Sequence, residues 1–268
     1  MRIRIGYDLA FSGSMPTPTI LMLSVHPSRL EDLSEPQRIV FDPAIPSHTY
    51  MDRFGNLCTR IVMPRGTLAV SSRNVVYDSG LPDTREPDAR QIAIEKLPED
   101  TLEFLLGSRY CETDRLSDTA WSLFGRMSPG WARVQAICDY VHDRLTFNYL
   151  AARSTRTAWE GNQECIGVCR DFAHLAIALC RCMNIPARYC TGYLGDIGVA
   201  PVPDPMDFSA WFEVLLEGGW YTFDARHNQP RIGRILIARG RDAADVALST
   251  SFGPVRLTEF KVITDELP

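Results

Sequence analysis

From Met1 to about Ile94 the apolar side chains recur at every second position, as in Ile3/Ile5/Tyr7, Ile20/Met22, Ile61/Met63 and Leu68/Val70. Alternation of this kind sets one face of an extended chain against a core and the other in water, so this half is expected to fold as antiparallel strands. Asp52-Arg53-Phe54-Gly55-Asn56 falls between two such runs and predicts a hairpin turn. The parity changes between Leu68/Val70 and Val75/Tyr77, which predicts a β-bulge. Pro82, Pro87 and Pro98, with the charged stretch Glu95 to Asp100, punctuate the exit from this half. The expected division is a β-rich region over 1–97 and a second region over 98–268.

Past that boundary the period becomes helical. Ser128 and Pro129 are suited to a helix start, and Val134, Ile137, Cys138, Val141 and Leu145 form one apolar stripe behind them. A polar stretch from Ser154 to Gln163 is expected as a loop. A second helix is predicted from Cys169 to Met183, with Phe172, Ala173, Ala176, Leu179, Cys180 and Met183 facing inward and with Asn184 and Pro186 ending it. It is apolar on almost every side, which marks it as buried. Strand patterns follow over 187–193, 210–216, 220–224 and 257–264, and Glu217-Gly218-Gly219 makes a hairpin turn. A helix followed by antiparallel strands is an α+β arrangement. Trp211 and Trp220 are expected to pack the sheet.

With 268 residues, 45% of them hydrophobic, the chain can bury one large core or two modest ones. The net charge of −5, with 28 scattered basic residues, offers no attraction to phosphate backbones or anionic lipid, so neither nucleic acid nor a membrane is expected as a partner. No segment approaches the ~18 consecutive apolar residues of a spanning helix, and the opening MRIRIGYDLAF lacks a leader pattern. A soluble, unprocessed, cytoplasmic protein is the expectation. The eight cysteines lack the paired spacing of a zinc ribbon, so they are expected as reduced thiols, with no metal and no cofactor. No nucleotide fingerprint, metalloprotease helix or serine-hydrolase elbow occurs.

One cysteine stands apart by position. Cys169 lies where a loop enters the buried helix, among unpaired N–H groups at the positive end of the helix dipole, a setting that favours thiolate. Asp171 and Asp207 flank it in sequence and read as an ordinary helix-start and an ordinary loop carboxylate. Of the five histidines, His26, His48 and His142 read as solvated or hydrogen-bonded. His174 lies about 500° around the helix from Cys169, at ~3.6 residues per turn, and reads as packing. His227 follows Asp224 by three residues, beyond a strand end, where a loop can turn it toward the thiol.

The residues Gly167-Val168-Cys169-Arg170-Asp171-Phe172-Ala173-His174, then Ile185-Pro186-Ala187-Arg188-Tyr189, Asp207-Phe208-Ser209-Ala210-Trp211 and Trp220-Tyr221-Thr222-Phe223-Asp224-Ala225-Arg226-His227-Asn228, resemble the bacterial transglutaminase-like superfamily. The resemblance runs over roughly 117–264. It implies a papain-like transglutaminase core, in which a nucleophile helix packs on an antiparallel sheet, preceded here by an antiparallel β domain. It makes Cys169 the nucleophile and Asp224 the acid that orients an imidazole. At the family's histidine position, two residues before the tryptophan of the H-A-W motif, this chain has Ser209. A serine hydroxyl neither holds the thiol's proton nor hands one to a leaving amine.

The implied activity is hydrolysis or acyl transfer at peptide or isopeptide amides of a peptide or protein substrate, through an acyl-Cys169 intermediate, and it is expected to be weak or absent as the sequence stands. A peptide-binding relative without turnover, and a laboratory substitution at Ser209, are the alternatives. The oxyanion hole would use the Cys169 N–H, with Gln163 or Trp159 as accessory candidates. The sequence leaves oligomeric state open.

Overall fold

The structure, a computed structural model, describes residues 1–201 and 207–268. The first half is formed from β1 (Arg2–Gly13), β2 (Thr17–Leu21), β3 (Val40–Asp42), β4 (Ser47–Met51), β5 (Leu57–Met63) and β6 (Gly66–Tyr77). The expected hairpin turn joins β4 to β5. There the Asp52 carboxylate accepts the N–H groups of Phe54 and Asn56, and Gly55 adopts a φ of 80°.

The expected bulge in β6 is absent: β1 and β6 pair without a register shift from Arg2↔Tyr77 to Gly13↔Gly66. Parity is kept because the buried face continues through polar residues, Leu68, Val70, Ser72, Asn74 and Val76, leaving Val75 and Tyr77 on the outer side. Ser72 and Asn74 are tolerated inside because Gln37 donates to Ser72, while Asn74 accepts from Ser34 and donates to the Glu35 carbonyl. The irregularity lies in the neighbouring pair instead, at Ala10/Phe11.

The helices are α1 (Thr113–Phe124), α2 (Trp131–Arg144), α3 (Ala158–Glu164) and α4 (Cys169–Cys182), and a two-residue parallel pair, β7 (Thr146–Phe147) with β8 (Ile166–Gly167), leads into α4. The stripe Leu116, Ala120, Phe124 buries α1. The second helix begins at Trp131 rather than Ser128, because Gly130 takes a φ of 106° and breaks the continuation toward Pro129. The stretch expected as a loop contains α3, nucleated by a capping box in which Thr157 accepts from the Glu160 N–H and Glu160 accepts from the Thr157 N–H. Helix α4 keeps its predicted course and ends at Cys182, with Met183 as its cap, Asn184 in the left-handed region (φ 60°) and Pro186 beyond.

Helix α4 packs on a four-stranded antiparallel sheet of order β11 (Gly219–Phe223), β10 (Ser209–Leu216), β9 (Ala187–Tyr193) and β12 (Ile235–Gly240). The predicted last strand of the second half lies elsewhere: β14 (Val255–Leu267) runs antiparallel to β1, and β13 (Ser249–Ser251) pairs with β2. The C-terminus thus completes both N-terminal sheets, and one buried apolar cluster includes residues from Ile3 to Val262.

Gly192 sits at the centre of this arrangement, opposite Ser209 on β10 and Leu236 on β12. A Cβ there would meet the Ile235 carbonyl oxygen at 2.1 Å and the Trp211 ring at 2.9 Å. The backbone carbonyl cannot yield without parting the strands. Gly192→Ala is expected to cost about 1–3 kcal/mol, read as a lowered urea midpoint.

Candidate active site

Five segments, 147–152, 168–169, 194–196, 207–209 and 226–231, converge on a cavity of about 260 Å³ lined by Cys169, Asp207, Ser209, Arg226 and His227 among others. Cys169 is the first residue of α4 and keeps partial exposure. The α4 entry is fixed by Asp171, whose buried carboxylate accepts the Val168 N–H at 2.9 Å and pairs with Arg156 at 3.0 Å. Asp171 is therefore a buried anchor held by a guanidinium rather than an ordinary helix-start carboxylate.

The thiol is not a ready thiolate. Burial among protein atoms pushes the Cys169 pKa up to about 11, with the nearby Asp207 and Asp224 carboxylates adding to the rise, while Arg226 and the Ala210 backbone N–H act the other way. The expectation of a depressed value fails because it considered the helix end alone. Desolvation and the nearby Asp207 and Asp224 carboxylates raise the value, where the helix end alone would lower it.

Ser209 opens β10, buried, and its hydroxyl has no hydrogen-bond partner among the described residues. Asp224 immediately follows β11, and its carboxylate is a junction. Oδ1 accepts the N–H groups of Arg226 (3.0 Å) and His227 (3.1 Å), while Oδ2 takes Arg234 Nη2 at 2.9 Å and His227 Nδ1 at 2.8 Å. Burial alone would raise its pKa, but Arg234 and the hydrogen bonds from His227 overcome this and hold it well below the usual carboxylate range. The imidazole at Asp224 is thus that of His227. In a neutral imidazole so placed, Nδ1–H donates to the carboxylate and Nε2 carries the lone pair.

The turn that carries His227 is clamped from behind by α2. His142 Nδ1 donates to the carbonyls of Ala225 (3.1 Å) and Arg226 (3.0 Å). Gln135 and Asp139 grip the Asn228 side chain at 2.9 and 2.8 Å. Asn228, at φ 49°, closes the turn with its N–H on the Asp224 carbonyl. Asp207 receives the Tyr149 hydroxyl at 3.1 Å, and burial raises its pKa.

Cys169, Ser209 and His227 share the cavity, and Asp224 reaches it through His227. Gln163 and Trp159 do not line it. Gln163 is exposed on α3, and Trp159 packs its ring under the Arg115 guanidinium at 3.4 Å. His174 is fully buried, stacked on Tyr110 and set at a tilt against Tyr189, with Nε2 accepting the Ala243 N–H. Arg226, Arg234 and Tyr149 were missed by sequence reasoning. Only Arg226, next to His227, stood in a motif that could have singled it out. Among the described residues no cluster of three His, Cys, Asp or Glu side chains is arranged to hold a metal ion, and no helix is long and apolar enough to cross a membrane.

Residues 120–225 match the model of the transglutaminase-like superfamily, a span that contains Cys169, Ser209 and Asp224 and stops short of His227. A crystal structure of a candidate cysteine protease from Cytophaga hutchinsonii is 30% identical in sequence, covers 100% of this chain and 91% of its own, and superposes with a TM-score of 0.86. The uncharacterized protein ML0607 of Mycobacterium leprae (strain TN) is 26% identical over 220 residues, 78% of this chain and 77% of that protein. The fold, the matched core around Cys169 and Asp224, and the match along the whole chain agree: the chain belongs to the transglutaminase-like superfamily.

Proposed function

We propose that the protein is a thiol-dependent acyl hydrolase or acyltransferase of peptide or isopeptide amides, in which His227 supplies the imidazole that position 209 lacks. The observation that carries this reading is the 2.8 Å contact of His227 Nδ1 with Asp224 Oδ2, on an imidazole that lines the same cavity as Cys169. The carboxylate keeps its role while its histidine partner comes from the following turn rather than from β10.

In this mechanism the resting thiol is neutral. His227 Nε2 takes its proton as the sulfur attacks the amide carbonyl, and the Asp224 carboxylate stabilises the imidazolium that forms. The Cys169 N–H, at the first helical position, is free of an intrahelical acceptor and suits the oxyanion. The imidazolium then protonates the departing amine, the C–N bond breaks and acyl-Cys169 remains. Water, or a second amine, gives its proton to His227 and attacks the thioester, and the thiol returns.

A second reading, a peptide binder without turnover, draws support from the raised thiol pKa and from the serine at 209. Fluorogenic peptide and isopeptide amides, assayed with the protein and with Cys169→Ala, separate the two. Turnover that disappears in Cys169→Ala is expected. Tight peptide binding without turnover in the unaltered protein would establish the binder instead.

A further inference from the structure

We infer that Arg226 selects substrates carrying a carboxylate on the residue that flanks the scissile amide, an inference that rests on the thiol reading of the cavity. Four ordinary ionic side chains line the cavity besides His227: Arg226, Arg231, Asp196 and Asp207. Three of them are engaged by protein. Arg231 is buried, donates to the Gly195 carbonyl at 2.9 Å and lies 3.7 Å from Asp196, and Asp207 holds the Tyr149 hydroxyl.

Arg226 differs. Its guanidinium lies over the Phe147 ring, 3.7 Å from the centroid, and among the described residues it makes no hydrogen bond or ion pair through its side chain. Stacking occupies the flat face of the group and leaves its edge N–H donors without an acceptor in hydrogen-bond reach among the described residues, while its charge acts on Asp207 and Cys169. Its backbone is fixed on both sides, the N–H on Asp224 and the carbonyl under His142, so the donors are held in place before any ligand arrives. A planar fork of this kind matches a carboxylate in two-point contact, which neither a neutral amide nor an ammonium group reproduces. Arg226 and Cys169 line the same cavity of about 260 Å³, which suits a carboxylate on a group close to the reacting carbonyl. A side-chain carboxylate and a free C-terminal carboxylate supply the same chemistry.

Two readouts test the inference, and the first needs no turnover. Cys169 is alkylated with iodoacetate, which carries a carboxylate, and with neutral iodoacetamide, and peptide mapping isolates its rate from the other thiols. Relative to a free thiol, the iodoacetate-to-iodoacetamide ratio is expected to rise by about fivefold or more in the unaltered protein. It should fall to the free-thiol value in Arg226→Gln, be partly kept in Arg226→Lys, and collapse near 1 M salt, where the screening length is about 3 Å. The salt arm keeps the test decisive if a variant fails to fold.

The second readout is kcat/KM for matched amides carrying a flanking glutamate, a flanking glutamine, or a free or amidated C-terminus. The anionic member is expected to lead by roughly 10- to 100-fold, with the lead lost in Arg226→Gln. The glutamate and C-terminal arms tell which source is used. A thiol that alkylates with no iodoacetate preference, or amides cleaved without regard to charge, overturns the inference and leaves the thiol reading intact. A Cys169 inert to both reagents overturns the thiol reading itself.

Discussion

His227→Ala is expected to slow amide turnover by about 10²–10⁴-fold, the range contributed by one positioned proton-transfer group. Burial pushes the thiol's pKa up to about 11, so in the proposed mechanism attack requires a base and expulsion of an amine requires an acid, and a single imidazole would serve both steps. Ester and thioester substrates, whose leaving groups need little protonation, should lose less than amides. Ser209→Ala removes a hydroxyl with no partner among the described residues and is expected to change amide turnover by less than about tenfold, well below one proton-transfer group. Steady-state rates for a matched amide and ester in the three proteins provide the check. A larger loss in Ser209→Ala than in His227→Ala would return the essential role to position 209.

Asp224→Asn should affect activity and folding together. The variant removes the charge that orients and stabilises the His227 imidazole, so amide turnover should fall by about 10²–10⁴-fold. It also leaves the buried Arg234 guanidinium with Asp83 alone. Losing one partner of a buried ion pair costs about 3–5 kcal/mol; the remaining Asp83 contact favours the lower end, roughly 3 kcal/mol, or about 6–12 °C in Tm.

The acid limb follows from the same group. Asp224 is depressed in the folded protein, so the unfolded chain binds its proton first as pH falls. The associated stability is fully present above the ordinary carboxylate pKa of about 3.9 and drains away as pH drops below it. Urea unfolding at pH 7 and near pH 3 should therefore show a smaller difference between Asp224→Asn and the unaltered protein at the lower pH.

The elements that carry the site were legible where local pattern and tertiary role coincide. The α4 stripe and its Asn184/Pro186 stop, the strand Ala187–Tyr193 and the turn at Gly218-Gly219 are found where the residues predict them. Misreadings arose where distant contacts decide. Ser72 and Asn74 occupy a buried face because Ser34, Gln37 and the Glu35 carbonyl, distant in the chain, satisfy them, so the alternation of β6 is hidden behind polar residues. The capping box of α3 lies in a polar stretch with no apolar stripe to announce it. That the final strand joins β1 is a pairing between the chain's two ends, which no local period encodes.

The site divides in the same way. Cys169, Ser209 and Asp224 stand out by motif, and His227 was visible as a histidine three residues past Asp224. What position alone could not supply is the α2 clamp of His142, Gln135 and Asp139, which holds that turn against the carboxylate. The thiol's raised pKa is likewise a property of packing, since it depends on what covers the sulfur.

The partnership of Cys169 with His227 is tested most directly by the pH dependence of Cys169 alkylation by iodoacetamide, followed by peptide mapping, in the unaltered protein and in His227→Ala. With the imidazole acting as base, the unaltered protein should be alkylated at pH values well below the midpoint that burial sets for the thiol, at least about tenfold faster there than His227→Ala. In His227→Ala the rate should stay low and rise only toward the thiol's own midpoint near about 11. Superimposable profiles in the two proteins would contradict the partnership.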